Sequence, residues 1–433
     1  MTGQKTWGVI SLWSLALMLG AGGLGLGAQK KVLENGLTVI LERDESSANT
    51  ILQILIKGGK RAEPPAKWGL AFLTTRLLIE IPDSGKAQQL ISLATRASAN
   101  AADDYSLVQI ECLSANLEPS LKVLSKIFLD PLFSGIRVDA VKKYMEHQSR
   151  VEEDDSVRLG HLAGLRAFFA GSGYGGSMYG DRASLEAVKN KDVSAFYKSH
   201  FVGSNIILSI ASDLPENALL DIVGRYFSAI PSGSSVALAP VAASGPEEKT
   251  IQLDRDTKQA FVGLAYRLPG ISGRNFALAS LLESLLGKGQ GSRLWALRSK
   301  MKLAYNVNCR ATQMQEGGLL EAYLETDTAK REAAREALRS VLADLYQNGT
   351  TEEELLYAKN AVKTDFIRES ETKAGKAGIL AFFEASGLGF DFFGSLFSEI
   401  DALSLDEVNS CIREILAPEK ALEVVIGPGP ESR

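Results

Sequence analysis

The sequence predicts an α+β protein of two homologous domains, each a mostly antiparallel sheet with helices packed on one face, joined by a linker. Three observations carry the prediction. The 433 residues exceed one ordinary hydrophobic core, since domains run to roughly 100–200 residues. An order of strand pair, helix, strand pair and long helices occurs twice, displaced by about 210 residues. Between the two occurrences, Ser228 to Lys249 holds Pro231, Gly233, Pro240, Gly245 and Pro246 amid Ser and Ala with no helical or strand period. The boundaries follow: a signal peptide at 1–28, an N-terminal domain at 29–228, a linker at 229–249 and a C-terminal domain at 250–433. The alternative is two unrelated domains in tandem.

At the N-terminus, Lys5 supplies a positive region, Trp7 to Leu19 is apolar and uncharged, and Gly20 to Ala28 is small and Gly-rich. This is the layout of a cleaved secretory signal peptide, which places the chain in the periplasm or outside the cell with no stable membrane insertion after cleavage. A retained anchor is the other reading, because the apolar stretch is just long enough to span. Asn35-Gly36 then signals a tight turn before the strand Leu37 to Leu41. Thr50 to Lys57 reads as a second strand, and Lys67 to Glu80 as a helix with Leu70, Leu73, Leu77 and Leu78 on one face. Ser98 to Leu113 is mostly strand, Leu117 to Leu129 helix, and Val138 to Phe169 one long polar helical stretch. Asp192 to His200 (helix), Ile206 to Ala211 (buried strand) and Pro215 to Phe227 (helix) complete the first half. In the second half, Ile251 to Leu253 and Ala260 to Tyr266 resemble the opening strands, and Asn275 to Leu286 the helix after them. Leu303 to Thr312 and Gly318 to Glu325 read as strands. Ala329 to Gln347, Glu352 to Ser370 and Leu405 to Leu416 read as helices before the last strand, Leu422 to Ile426.

Composition narrows the function. A 45% hydrophobic, 23% charged chain has ample core material and is not disordered. A net charge of −5 with scattered Lys and Arg leaves no footprint for nucleic acid. Cys112, Cys309 and Cys411 form no C-x-x-C pair, so neither a zinc ribbon nor a thioredoxin motif is available, and Cys112 reads as a buried small hydrophobe. His147, His161 and His200 are the only histidines, and no two are four residues apart. H-E-x-x-H and H-x-x-E-H sites need that spacing to turn both imidazoles to one helix face. Lys143 to His147 would match if residue 143 were His. There is no G-x-S-x-G elbow. Gly287 to Ser292 lacks the phosphate-loop pattern and reads as a helix cap and turn. The acidic runs Asp103-Asp104 and Glu152 to Asp155 have no EF-hand spacing.

Leu33-Glu34-Asn35-Gly36-Leu37-Thr38-Val39, Gly69 to Arg76, Ser172 to Gly175 and Gly291 to Tyr305, taken in order, resemble the small-subunit branch of the pitrilysin–insulinase zinc peptidases, which includes the mitochondrial processing peptidases. The first of these looks like their opening strand. Gly69-Leu70-Ala71-Phe72-Leu73-Thr74-Thr75-Arg76 looks like their G-x-A-H-F-L-E-H helix. Ser172-Gly173-Tyr174-Gly175 stands where they carry H-P-Y-G, and Phe196-Tyr197 to Asp213 looks like their helix and strand before the linker. Gly291-Ser292-Arg293-Leu294 and Leu297-Arg298-Ser299-Lys300 to Leu303-Ala304-Tyr305 match G-S-R-L and L-R-E-K-x-G-L-A-Y. The resemblance spans essentially the whole chain after residue 28.

The departures from that pattern decide the expected function. The first metal His is Phe72, the catalytic Glu is Thr75 and the second metal His is Arg76. A phenyl ring, a hydroxyl and a guanidinium cannot replace two imidazoles and a carboxylate base, even if Glu146 or a neighbouring carboxylate holds the third-ligand position. No metal is therefore expected in this chain. Arg298 and Tyr305 keep the seven-residue spacing of a family pair that reaches across to the substrate, and their donors suit a developing oxyanion. A surface helix charge and a half-buried strand residue are the plainer readings of the two. Asn100-Ala101 falls where the family's substrate-binding edge strand begins. The resemblance thus implies a non-catalytic subunit of a two-chain peptidase. It would bind peptide, and a zinc-bearing homologous subunit would supply metal and base. A structural or peptide-binding protein without peptidase activity is the second reading, and a zinc peptidase with displaced ligands the third.

Overall fold

The computed structural model describes residues 27–242 and 245–429. The expected signal peptide falls almost wholly outside them, and no described helix is long and apolar enough to cross a membrane.

Asn35-Gly36 closes a hairpin between β1 (Gln29–Val32) and β2 (Thr38–Arg43), with Gly36 in the left-handed region that such a turn needs. After β3 (Asn49–Lys57) come the short helix α1 (Leu70–Leu77), then α2 (Ser84–Ser92), then the hairpin β4 (Arg96–Ala101) and β5 (Tyr105–Leu113). Helices α3 (Leu117–Leu129), α4 (Gly135–Asp154), α5 (Ser156–Phe168), α6 (Arg182–Ala187) and α7 (Asn190–His200) lead to β6 (Ile206–Ser212) and α8 (Glu216–Phe227). Residues 228–249 have no regular structure where described, as their composition implies. The second half runs β7 (Thr250–Asp254), β8 (Gln259–Leu268), α9 (Gly273–Gly287), α10 (Trp295–Ser299), β9 (Asn306–Met314) and β10 (Gly317–Asp327). Then come α11 (Arg331–Asn348), α12 (Glu352–Glu369), α13 (Lys373–Ala385), α14 (Phe392–Ala402), α15 (Leu405–Ile415) and β11 (Leu422–Gly427).

The duplication is written into the sheets. The first is ordered β1-β2-β6-β3-β5-β4 and the second β7-β11-β8-β10-β9. Apart from β1 the two orders correspond strand for strand. In each, the last strand of the domain inserts between the first two, so β2 pairs in parallel with β6 and β7 with β11, while the remaining pairs are antiparallel. The "opening pairs" read from the sequence are therefore not paired with each other.

Each sheet carries its own helices on one face. Val39, Leu52, Ile54, Val108, Ile110 and Leu208 meet α3 and α8 in one core, and β8 and β10 meet α9, α11 and α12 in another. The opposite faces are covered by a helix from the other domain. Ala377, Leu380 and Ala381 of α13 lie on Ile40, Ile51, Leu55, Ile207 and Ala211 of the N-terminal sheet. Leu159, Ala163 and Phe168 of α5 lie on Phe261, Ala265, Leu319 and Tyr323 of the C-terminal sheet. Small residues allow the approach: a Cβ on Gly160 would sit 2.4 Å from the Phe261 ring. The single helix expected over Val138 to Phe169 is in fact α4 and α5. Asp155 takes an extended backbone between them, and its carboxylate accepts the Val157 and Arg158 amides at 3.0 and 3.1 Å, capping the new helix.

Polar clasps tie the same interface. Lys376 pairs with Asp44 at 2.5 Å, His161 with Glu321 at 3.0 Å and Arg61 with Glu316 at 3.0 Å. The Gln315 amide donates to Asp104 at 2.8 Å.

Candidate functional site

Helix α1 starts at a demanding backbone position. Gly69 sits at φ 90°, and a Cβ there would meet Met145 Cε at 2.8 Å and Gly180 N at 3.0 Å. Its amide and that of Ala71 donate to the buried Glu63 carboxylate at 3.1 and 2.8 Å, which closes the helix start. Burial pushes the Glu63 carboxyl up to about 8, against these amides and the Lys60 ammonium, which favour its charged form.

The helix presents the three expected motif positions, and none is available to a metal. Phe72 is 2% exposed. Its ring meets Tyr179 edge-on at 5.0 Å and lies roughly parallel to Tyr144 at 6.4 Å. Thr75 is fully buried and turns its hydroxyl back to Ala71 O at 2.7 Å. Arg76 lies over the Tyr144 ring at 5.3 Å and pairs with Glu80 at 2.5 Å. Of the carboxylates on α4, Glu146 acts electrostatically on Lys142 and Arg182. Glu152 acts on Tyr179 and is bound by the Ser177 hydroxyl at 2.7 Å. Rings, a hydroxyl and a guanidinium thus occupy the place of a ligand set, and the residues do not fit zinc. No group of three or more His, Cys, Asp or Glu among the described residues is placed to hold a metal ion. His200 is buried against Phe196 and bonds its carbonyl at 2.9 Å.

Asn100 and Ala101 end β4, which among the described residues pairs only with β5 and so has one edge without a strand partner there, beside α1. That edge is already used at its last residue: the Ala101 amide donates to Asn100 Oδ1 at 2.9 Å and approaches Met178 Sδ at 3.4 Å. Glu152 and Ser177 also line a cleft of about 650 Å3 between the domains, with Leu162 on one wall and Ile251 and Leu253 of the edge strand β7 on the other.

Arg298 and Tyr305 come together, but elsewhere. Arg293 of the Gly291 to Leu294 motif grips Glu354 through two bonds of 3.0 and 2.9 Å, and Leu294 and Leu297 are fully buried, which fixes α10. Arg298 then stands exposed on that helix, its guanidinium 5.5 Å from the centre of the Tyr305 ring and 4.9 Å from that of Trp295. Tyr305 is 78% exposed, and its amide joins Glu325 O at 3.1 Å. This pair borders the start of β9, whereas Gln315, just past its end, meets Asp104 beside β4. The strand between them spans roughly 26 Å. Within one chain the pair and α1 do not make one site.

The sequence did not disclose the parts played by Tyr144, Tyr179 or Trp295, and offered Glu152 only as part of an acidic run. Trp295 alone had a local signal, one helical turn before Arg298.

Comparison with known proteins agrees with this geometry. Residues 38–180 match the sequence model described as insulinase (peptidase family M16), and residues 187–362 that described as the peptidase M16 inactive domain. A Bacillus subtilis (strain 168) protein named as an uncharacterised zinc protease, YmxG, is 20% identical over 92% of this chain and 97% of its own. A Helicobacter pylori protein named non-peptidase homologue YmxG is 22% identical over 87% and 88%. In fold, the chain is similar to a Pseudomonas fluorescens structure titled as a peptidase M16 inactive domain, with TM-score 0.85, 22% identity and coverage of 94% and 99%. It is also similar to a chain of complex III2 from Candida albicans, with TM-score 0.82, 18% identity and coverage of 93% and 96%.

Proposed function

We propose, because this chain belongs to the insulinase family (peptidase family M16), that it is a non-catalytic, zinc-less subunit of a heteromeric metallopeptidase. It binds peptide and supplies Arg298 and Tyr305 to the active site of a zinc-bearing homologous partner. The observation that carries this reading is the pairing of a filled metal position with an exposed donor pair. Phe72, Thr75 and Arg76 are locked into packing and internal bonds, whereas Tyr305 is 78% exposed and Arg298 is held only against two rings. A metal on the partner supplies Lewis acidity and an activated water. This chain's guanidinium and phenol supply hydrogen bonds to the peptide carbonyl as charge builds on it. The expected signal peptide puts this work in the periplasm or outside the cell.

The test is co-purification with a zinc-containing family member from the same organism, followed by a peptide-cleavage assay. Arg298→Ala and Tyr305→Phe should each lower the cleavage rate by about 10²-fold or more while the complex stays assembled. Full activity in both variants ends the donor role. A second reading, a peptide-binding protein with no peptidase activity, is favoured by the interdomain cleft beside Glu152. It prevails if the chain binds peptide alone and a zinc-bearing relative neither associates with it nor cleaves faster in its presence.

A further inference from the structure

The end of the C-terminal domain that carries Arg298 has a charge pattern that the donor role does not require. On a chain of net charge −5, Arg298, Lys300 and Lys302 place three cations within five residues. Among the described residues none of the three side chains has a carboxylate partner or a hydrogen bond. Arg298 and Lys302 line a recess of about 470 Å3 with Tyr305, Glu325, Asp327 and Lys330. The other charges on that wall are engaged. Lys330 pairs with Asp327 at 3.5 Å and bonds Lys302 O at 3.2 Å, and Asn306 donates to Glu325 at 2.9 Å. Three cations against the two carboxylates Glu325 and Asp327 leave the recess a net charge of +1, with Arg298 and Lys302 the cations that have no carboxylate partner among the described residues.

Two further features suit recognition. The Trp295 and Tyr305 rings lie against the guanidinium at 4.9 and 5.5 Å, which restrains it and leaves N–H donors at its edge open. A planar fork held this way matches a carboxylate through two parallel bonds. Lys302 takes a φ of 53°, a left-handed backbone that a residue with a side chain adopts at a cost and that recurs at ligand sites.

We propose that this recess binds a peptide carboxylate, from an acidic side chain or a free C-terminus, on Arg298 and Lys302, with Trp295 as the residue that positions the guanidinium. The proposal rests on the reading above in taking the Arg298–Tyr305 end as peptide-facing.

The test measures fluorescence anisotropy of the full chain with four labelled peptides of one Gly/Ser/Leu background. They carry Glu or Gln, each with a free or an amidated C-terminus. The Glu, free-acid peptide should bind about tenfold more tightly than the Gln, amidated one, and added salt should narrow the gap. The two intermediate peptides tell whether side chain or C-terminus is read, and preference in either supports the proposal. Arg298→Gln should abolish the preference. Trp295→Ala should reduce it several-fold, and Trp295→Phe should restore it. Equal binding of all four peptides, no binding of any, or a preference that survives in Arg298→Gln overturns the proposal. Failure of the subunit reading shows elsewhere, as an Arg298→Gln complex that still cleaves at full rate. That result leaves a measured carboxylate preference standing.

Discussion

Phe72 is buried and Arg298 exposed, and denaturant unfolding separates them. The Phe72 ring is closed in by Tyr179, Tyr144 and the α4 residues Val141 and Met145, so Phe72→Ala leaves a cavity and should cost about 3–5 kcal/mol. Arg298 is exposed and, among the described residues, makes only ring contacts, so Arg298→Ala should stay within about 0.5 kcal/mol of the parent. Equal losses in the two would mean that Arg298 is a packing residue. The motif positions were legible in the sequence because Phe72, Thr75 and Arg76 fall within five residues of one helix, where a missing imidazole is visible as a letter. The rings that fill the gap come from α4 and from the loop before α6. Nothing in the local pattern around Tyr144 or Tyr179 says that they converge on Phe72.

The elements most informative about the architecture are α5 and α13, the two exchanged helices. Gly160 faces Phe261 at a distance that leaves no room for a side chain, and Gly164 faces Leu319 with a Cβ separation of only 3.0 Å. Gly160→Val should therefore push α5 off the C-terminal sheet and cost about 1–3 kcal/mol by overpacking, whereas helix propensity alone would make it stabilising. Thermal unfolding decides the sign, and an unchanged or raised Tm would show that α5 does not bear on Phe261 as described. The strand–helix units and their repetition were legible because period and turn residues are local. The insertion of β6 and β11 was not, since strand order depends on pairing between distant segments. Nor was the break at Asp155, because an Asp caps a helix only where its own backbone turns extended. The glycines of α5 weaken an isolated helix and gain their meaning only from Phe261 and Leu319, in the other domain.

Across the whole molecule, the exchanged helices and their clasps tie the two domains together. Lys376 against Asp44 is the clasp whose titration can be followed. Burial alone would raise the Asp44 carboxyl, but the Lys376 ammonium and the Ser46 bonds outweigh it and hold it at about 2, below its ordinary 3.8. Glu42, near the end of β2 just before Asp44, is raised by burial and feels the same ammonium. A depressed carboxyl stabilises the fold above its unfolded value and loses that contribution as pH falls through the folded one. Lys376→Met should thus cost on the order of 2 kcal/mol at neutral pH, and the gap to the parent should close between about pH 4 and pH 2. A gap that persists undiminished at pH 2 would place the loss in packing instead. The exchange of helices also has a consequence for how the protein is born. The face of the N-terminal sheet that bears Ile40, Leu55 and Ile207 waits for residues 377–381 to reach it. At ribosomal speeds of about 5–20 residues per second, the roughly 145 residues between Ser228 and Lys373 take some 7–30 s to polymerise. For that interval the nascent chain displays a bare apolar sheet, the kind of surface a chaperone grips. A premature stop codon anywhere in the stretch would yield a polypeptide that never buries it.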